Sequence, residues 1–439
     1  MKILIVGGGG REHAICWALA KSPKVTKIYC APGNAGTLKL AQNIDIPTTD
    51  FKELIAFAKN VGIDLTICPM DEPLVKGIVD EFTKAGLSIF GPNKSAAHIE
   101  GSKAFSCDFM IKYNIPTYGR AVCDNLESAM VHCANSKFPL WIKADGLAAG
   151  KGALSCQNME VADRTLEKIF KEKIFGDSGN KVVIEEHVEG FECSVLAFCD
   201  GENIIPMLPA MDYKSIGEGN YGLNTGGMGS IVPNPHYTQE IANRCMQEIF
   251  IPTIRGMKQE NREFVGIMFF GLMLTADGPK VIEYNCRPGD PETQSILPML
   301  ETDLLDIIQA CMNKSLDKIQ IKWKNNAVCC VVVASGGYPE AYKTGHPIIG
   351  LSQGSANIRL FHSGTKKDPQ SENILTNGGR VISIVAEGGD IDEARQRAYD
   401  AVSVIRFRDM YYRKDIGDLS DKPINVDFQA SKYKYSKPK

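Results

Sequence analysis

Hydrophobic positions open the chain as a short continuous run, KILIVG, and then take up helical spacing in REHAICWALAKS. The alternation continues through KIYCAPG, DFKELIAFAKNVG, DLTICP, EPLVKGIVDEFTKAG and SIFGP. Strand and helix thus exchange four times in about the first 92 residues. That rhythm predicts a parallel sheet wound with helices, with its ligand at the carboxyl ends of the strands.

From about Ser102 the rhythm changes. KAFSCDFMIKYN reads as a helix, FPLWIKAD and KGALSCQ as strands, EVADRTLEKIFKE as a helix, and KVVIEEHVEG and FECSVLAFCDG as two more strands. This is the pattern of an antiparallel α+β unit. MDYKSIGEGNYGLNTGGMGS reads as a long polar loop. TQEIANRCMQEIFIPTIRGM reads as a helix before an apolar hairpin that turns at Asp277-Gly278. Beyond Lys324, AVCCVVVAS opens a third region with one helix, DIDEARQRAYDAVSVI. We expect domains at 1–101, 102–324 (with a mobile part at about 116–193) and 325–425, then a flexible tail, 426–439.

At 439 residues the chain exceeds what one core accommodates. A net charge of −3 argues against a nucleic-acid binder, and the terminal SKYKYSKPK reads as a solvated tail. The apolar run Ile3 to Val6 is far short of the about 7–15 residues of a signal peptide. No segment reaches the roughly 18–20 apolar residues of a membrane span. A cytoplasmic protein without membrane partners is expected. The 14 cysteines are scattered without C-x-x-C spacing, so they read as reduced, space-filling thiols.

Several stretches carry candidate chemistry. In VGGGGREHA the third position of a G-x-G-x-x-G fingerprint falls on Glu12 or His13, and APGNAG ends the second strand where an acidic residue would hold a ribose. Nicotinamide binding is therefore disfavoured, although the glycines and Arg11 suit a phosphate at a helix start. WIKADGLAAGKGAL is not a Walker loop either. Gly146 precedes Gly150-Lys151 too closely, and Gly152 stands where a hydroxyl should be. Lys143 at a strand end, the glycine loop and Lys103 can still neutralise a polyphosphate. VVIEEHVEGFE offers Glu185-Glu186 before a turn and Glu192 after it, a hinge for an adenine edge and a ribose. In KVIEYNCRPGDPE, Glu283 and Asn285 are two apart on one strand and face the same way. That pair suits magnesium carried by ATP phosphates, and Arg287 shares the face if the strand continues.

The chain resembles the phosphoribosylamine–glycine ligase family of the ATP-grasp superfamily. GGGGREHA, APGNAGT, EPLVKGIVD, EGSKAF, IKADGLAAGKG, VIEE, NTGGMG, GLM, VIEYN, GDPETQ, GGRVISIVAEG and YYRKDIG occur in the family's order over about residues 1–417. The resemblance implies an α/β and α+β multidomain protein. It would comprise an N-terminal parallel-sheet (pre-ATP-grasp) domain, an ATP-grasp domain of two α+β subdomains and a small C-terminal α+β domain. It implies ATP with Mg2+ (or Mn2+), and glycine and 5-phosphoribosylamine as substrates. The reaction would run through glycyl phosphate to glycinamide ribonucleotide, ADP and phosphate. Lys103, Lys143, Gly146, Gly150, Lys151 and Gly152 would contact phosphates. Glu185, Glu186, His187 and Val188 would form the adenine hinge, with Glu192 on the ribose and Glu283 and Asn285 on the metal. Gly9, Gly10, Arg11 and Asn34 would hold the phosphoribosyl group. Asp212, Asn224 and Gly226 would line the acceptor site, and Arg287, Lys143 and Asp290 would act in catalysis. A monomer is expected, with a weak dimer as the alternative, and no fused later-pathway enzyme.

Three departures from the family pattern bear on substrate identity: Pro288 in place of Phe, DYKS (Tyr213, Ser215) in place of Asp-His-Lys-Arg, and Pro69-Met70-Asp71 in place of Gly-Pro before Glu72. Another ATP-grasp ligase, a relative that has lost turnover and a dehydrogenase are the rivals. The C-terminal motifs oppose the first, the retained Lys143, Glu283 and Asn285 oppose the second, and the glycine spacing opposes the third.

Overall fold

The computed structural model describes residues 1–148, 152–351 and 356–420. In the N-terminal part, β1 (Lys2–Gly7), β2 (Lys27–Pro32), β3 (Gln42–Asn43), β4 (Leu65–Ile67) and β5 (Ile89–Phe90) form a parallel sheet, in order β3-β2-β1-β4-β5. The central β1 is buried through Ile3, Leu4, Ile5 and Val6, which explains its uninterrupted apolar run. Its carboxyl end feeds Gly8 and Gly9 into the helix Gly10–Leu19. The segment read as one helix, EPLVKGIVDEFTKAG, is two: Asp71–Lys76 and Ile78–Lys84. Gly77, at φ +96°, closes the first in the left-handed conformation that glycine tolerates.

Two antiparallel sheets follow. β6 (Arg120–Cys123), β7 (Leu140–Ala144), β8 (Ala153–Cys156) and β9 (Val182–Glu186) pair in the order β6-β9-β7-β8 over their own small core. β10 (Phe191–Asp200), β11 (Ile204–Pro206), β16 (Val265–Thr275) and β17 (Gly278–Asn285) make the second, in the order β11-β10-β16-β17. Residues 187–190 connect β9 to β10 along the chain, and Arg120 Nη2 on β6 also bridges the two sheets by donating to the Val281 and Ile282 carbonyls of β17.

The stretch 211–230 is less of a loop than its polarity suggests. It contains β12 (Met211–Asp212), a small hairpin of β13 (Ser215–Gly217) and β14 (Tyr221–Asn224), and the start of β15 (Gly229–Val232). The hairpin is tied from a distance: Tyr411 Oη donates to the Ile216 carbonyl and Arg413 Nη1 to the Ser215 carbonyl. β12 and β15 join β18 (Ala327–Ser335), β20 (Ile358–His362) and β23 (Arg380–Gly388) in one sheet, so the C-terminal sheet takes strands from both sides of Lys324. Two short strands, β19 (Pro347–Ile348) and β21 (Thr365–Lys367), pair with β22 (Ile374–Thr376), and β24 (Met410–Tyr411) pairs with β18. The helix Ile391–Val402 packs on this sheet through Ala394, Ala398 and Val402. The expected tail, 426–439, lies outside the described residues. Among the described residues, no helix is long and apolar enough to cross a membrane.

Candidate active site

A cleft of about 320 Å³ lies between the two antiparallel sheets. Of the residues singled out in the sequence, Lys103, Lys143, Gly152, Glu185, Glu186, His187, Val188, Glu192, Asp212, Asn224, Gly226, Glu283, Asn285, Arg287 and Asp290 all line it. Gly150 and Lys151 fall outside the described residues. Gly9, Gly10, Arg11, Asn34 and Gly146 stand just behind the lining.

The upper sheet supplies a charged ladder. Arg120 on β6 sits directly opposite Glu185 on β9, and Lys143 on β7 sits diagonally across from it. Lys143 Nζ is 2.5 Å from Glu185, Arg120 Nη1 is 3.2 Å away, and Tyr118 Oη donates to Glu185 at 2.9 Å. Glu185 is therefore the internal anchor of this sheet. Glu186, His187 and Val188 turn outward at the hinge. Lys103 opens the helix Lys103–Lys112 and donates to the Gly146 carbonyl at 3.2 Å; burial holds its pKa below the ordinary lysine value. Asp145 accepts from Ser102 Oγ and Ala104 N, which docks the start of the glycine loop on that helix.

The lower sheet supplies the oxygens. Phe269 pairs with Asn285 and Gly271 with Glu283 in regular register, so both side chains share one face; the bulge falls before them, at Ile282. Burial pushes the Glu283 carboxyl up, but Lys214, Lys143, Lys103 and Arg287 override it and hold its pKa at about 2. The strand ends at Asn285, so Arg287 reaches the same face by another route. Its Nη2 donates to Asn285 Oδ1 at 3.1 Å and lies 3.3 Å from buried Glu100. Glu100 also accepts the Cys286 N–H at 2.7 Å. The Cys286 thiol is fully buried and its pKa is raised well above the usual thiol value, first by burial and then by Glu100, so it fills space.

Among the described residues, no three His, Cys, Asp or Glu side chains converge as a resident metal site. An ionised Glu283 beside the Asn285 carboxamide oxygen fits a hard cation that keeps waters and completes its shell with phosphate oxygens.

The other end of the cleft is a buried polar junction. Asp212 and Glu292 have raised pKa values, first from burial, and their mutual repulsion adds to the rise at Asp212. Asp212 Oδ1 and Arg287 Nε are buried without a hydrogen-bond partner. Asp290 is held below its usual range, because Arg380 and Arg11 outweigh its burial. Arg380 Nη1 donates to the Gly226 and Asp290 carbonyls at 2.6 and 2.7 Å and lies 3.2 Å from Asp290 Oδ1. Arg11 donates to the Pro288 carbonyl at 3.1 Å, so the N-terminal glycine loop abuts this junction. Asn34 is occupied internally: its Nδ2 donates to the Gly8 and His362 carbonyls, and its Oδ1 accepts from Gly36 and Thr37.

The sequence reading passed over Lys214, Arg120, Tyr118, Glu100, Glu292 and Arg380. Lys214 lies inside DYKS, between the departures at Tyr213 and Ser215, and Glu292 lies inside GDPETQ, two residues after Asp290. Arg120 sits in an ordinary strand context without a local signal, whereas Arg380 lies inside GGRVISIVAEG. The departures at Tyr213 and Ser215 face away from the cleft. Tyr213 is buried, its Oη accepts from Gly417 N, and the Arg413 guanidinium covers its ring.

Lys103 and Lys143 face Glu283 and Asn285 across a cleft between two antiparallel sheets, an arrangement that fits an ATP-grasp enzyme. Residues 1–100, 101–293 and 328–419 match the N, ATP-grasp (A) and C domains of phosphoribosylglycinamide synthetase. The chain belongs to that family. It is 46% identical over 419 residues to phosphoribosylamine–glycine ligase of Clostridium acetobutylicum, covering 95% of this chain and 99% of that one. It is 44% identical over 421 residues to the ligase of Escherichia coli O6:H1, covering 95% and 98%. The crystal structure of the Thermotoga maritima ligase superposes with a TM-score of 0.83 at 31% identity, covering 95% and 100%. The biotin carboxylase domain of Hydrogenobacter thermophilus 2-oxoglutarate carboxylase, solved with MgADP and bicarbonate, gives 0.72 at 14% identity over 94% and 91%, a likeness of fold alone.

Proposed function

We propose that the chain joins glycine to 5-phosphoribosylamine with ATP, giving glycinamide ribonucleotide, ADP and phosphate in purine biosynthesis. The observation that carries this reading is the division of one cleft. Lys103, Lys143, Glu283 and Asn285 gather at a nucleotide end, and Asp212, Arg287, Asp290 and Glu292 gather at a small polar acceptor end. The hinge Glu186, His187 and Val188 takes the adenine edge, and Glu192 takes the ribose. Lys103 and Lys143, with the glycine loop, hold the phosphates in line. Glu283 and Asn285 would hold Mg2+, with Mn2+ as a substitute, and the ion would neutralise phosphate charge as the γ-phosphoryl transfers.

The carboxylate oxygen of glycine forms a bond to the γ-phosphorus as the bond to ADP breaks. Arg287 carries the cationic charge nearest that transfer, with Nε free to donate. The amine of phosphoribosylamine then attacks the carbonyl of glycyl phosphate, phosphate leaves, and the amine proton passes to solvent. Gly9, Gly10 and Arg11, shaped by Asn34, hold the phosphoribosyl group beside Asp290, while Asn224 and Gly226 border the acceptor. A monomer, with a weak dimer as the alternative, and the cytoplasm are its proposed state and compartment. The test measures ADP release with ATP, Mg2+, glycine and freshly generated phosphoribosylamine, omitting each in turn. Turnover should need all four and vanish in Glu283→Ala. ADP release that ignores glycine or phosphoribosylamine would overturn the reading.

A further inference from the structure

The Lys214 ammonium stands where the two ends of the cleft meet. Its Nζ lies 3.3 Å from Glu192 Oε2 and 3.5 Å from Glu283 Oε1. Its main chain is pinned, because the Lys214 carbonyl accepts from both Thr225 N and Thr225 Oγ1 at 2.8 Å. The four-carbon stem is therefore the part free to move. Glu192 and Glu283 are the carboxylates assigned above to the ribose and the metal. Neither can serve a nucleotide fully while both hold the same ammonium.

We propose that Lys214 is an exchangeable counter-ion: it neutralises Glu192 and Glu283 in the nucleotide-free protein, gives Glu283 up to the metal, and then turns to the phosphoryl group in transfer. The proposal rests on the nucleotide and metal roles given above. Asp212 and Glu292 also face Lys214, so four carboxylates converge on one cation. A divalent ion arriving at Glu283 meets a like charge and must displace it. Once displaced, the ammonium is repelled by the metal and drawn to the polyphosphate, the new negative charge in the cleft. A compact charge on a flexible stem suits such a transfer, whereas the planar fork of arginine would stay locked on one carboxylate.

The test uses the full chain and Mn2+ titrated without nucleotide, followed by electron paramagnetic resonance, in the wild type, Lys214→Met, Lys214→Arg and Glu283→Ala. Removing the competing charge should tighten Mn2+ binding about tenfold in Lys214→Met, roughly 1.4 kcal/mol, with no tightening in Lys214→Arg. Added Mn2+ should also raise the melting temperature of Lys214→Met more than that of the wild type. Glycine-dependent ADP release from Lys214→Met should fall about 100-fold while MgADP affinity is unchanged or tighter. Unchanged or weaker Mn2+ binding in Lys214→Met, with Glu283→Ala still abolishing it, would sink the exchange alone. Mn2+ binding that survives Glu283→Ala would remove the metal assignment and this proposal with it. A loss of MgADP affinity as large as the loss of turnover would make Lys214 an ordinary nucleotide contact.

Discussion

Lys143→Met separates the two jobs this lysine performs. In the protein it braces Glu185, which is 2% exposed and shared with Arg120 and Tyr118. Stripping one partner from a buried ion pair costs about 3–5 kcal/mol when the other charge is stranded. Arg120 and Tyr118 stay on Glu185, so the lower end, about 3 kcal/mol, applies. Glu185→Gln in the same background removes the stranded charge, so the double variant should be more stable than Lys143→Met alone, at a cost of about 1 kcal/mol relative to the wild type. Turnover should behave differently. If Lys143 also meets the phosphates, losing it should lower ADP release by about 10²–10³-fold, and Glu185→Gln cannot restore that. Urea unfolding read from Trp141 fluorescence, on the same strand and paired with Glu185, reports stability, and the four-component assay reports turnover. Recovery of both in the double variant would refute the phosphate contact. A single variant within about 0.5 kcal/mol of the wild type would refute the bracing argument.

Arg380→Ala should raise the KM for glycine or phosphoribosylamine about tenfold or more, because it frees Asp290 and the Gly226 carbonyl, with MgADP affinity within about twofold; equilibrium titration and steady-state kinetics distinguish the two. Gly227→Ala should impair acceptor binding in the same assay, since the new Cβ would lie 2.9 Å from Asp212 Oδ1 at a φ of +110° that alanine resists. Stability should also fall as pH drops from about 6.5 towards 4. Burial, with cationic neighbours, holds His13 at about 3 and His362 at about 4. In that window the unfolded chain binds protons that the folded chain refuses, which costs about 1.4 kcal/mol per pH unit for each ring. His13→Gln should flatten the slope of melting temperature against pH, and an unchanged slope would contradict the burial argument.

What could be read from the sequence follows from the range of the contacts. The parallel sheet was legible because each strand and helix carries its own period, and the hairpin 265–285 because its turn is local. EPLVKGIVDEFTKAG looked continuous because Gly77 interrupts its conformation without interrupting its hydrophobic spacing. The stretch 211–230 looked irregular because its strands are too short to show a period and pair partly with residues more than a hundred positions away. Cleft residues on single strands, such as Glu283 and Asn285, followed the same rule.

The acceptor end obeys the opposite rule, and that has a consequence for specificity. Arg11, Gly226, Asp290 and Arg380 come from four separated stretches: Arg380 donates to the Gly226 and Asp290 carbonyls, and Arg11 donates to the Pro288 carbonyl. The departures at Tyr213 and Ser215 are absorbed in the same way: the Tyr213 hydroxyl meets Gly417, its ring meets Arg413, and the Ser215 carbonyl meets Arg413 as well. A substitution at Tyr213 or Ser215 is therefore answered by a partner about 200 residues along the chain, not by its neighbours. Glu283 and Asn285, proposed for the metal, are set on one face by a single strand. Acceptor geometry is written between stretches, so Arg380 and Arg413 are where a change of substrate would have to be compensated.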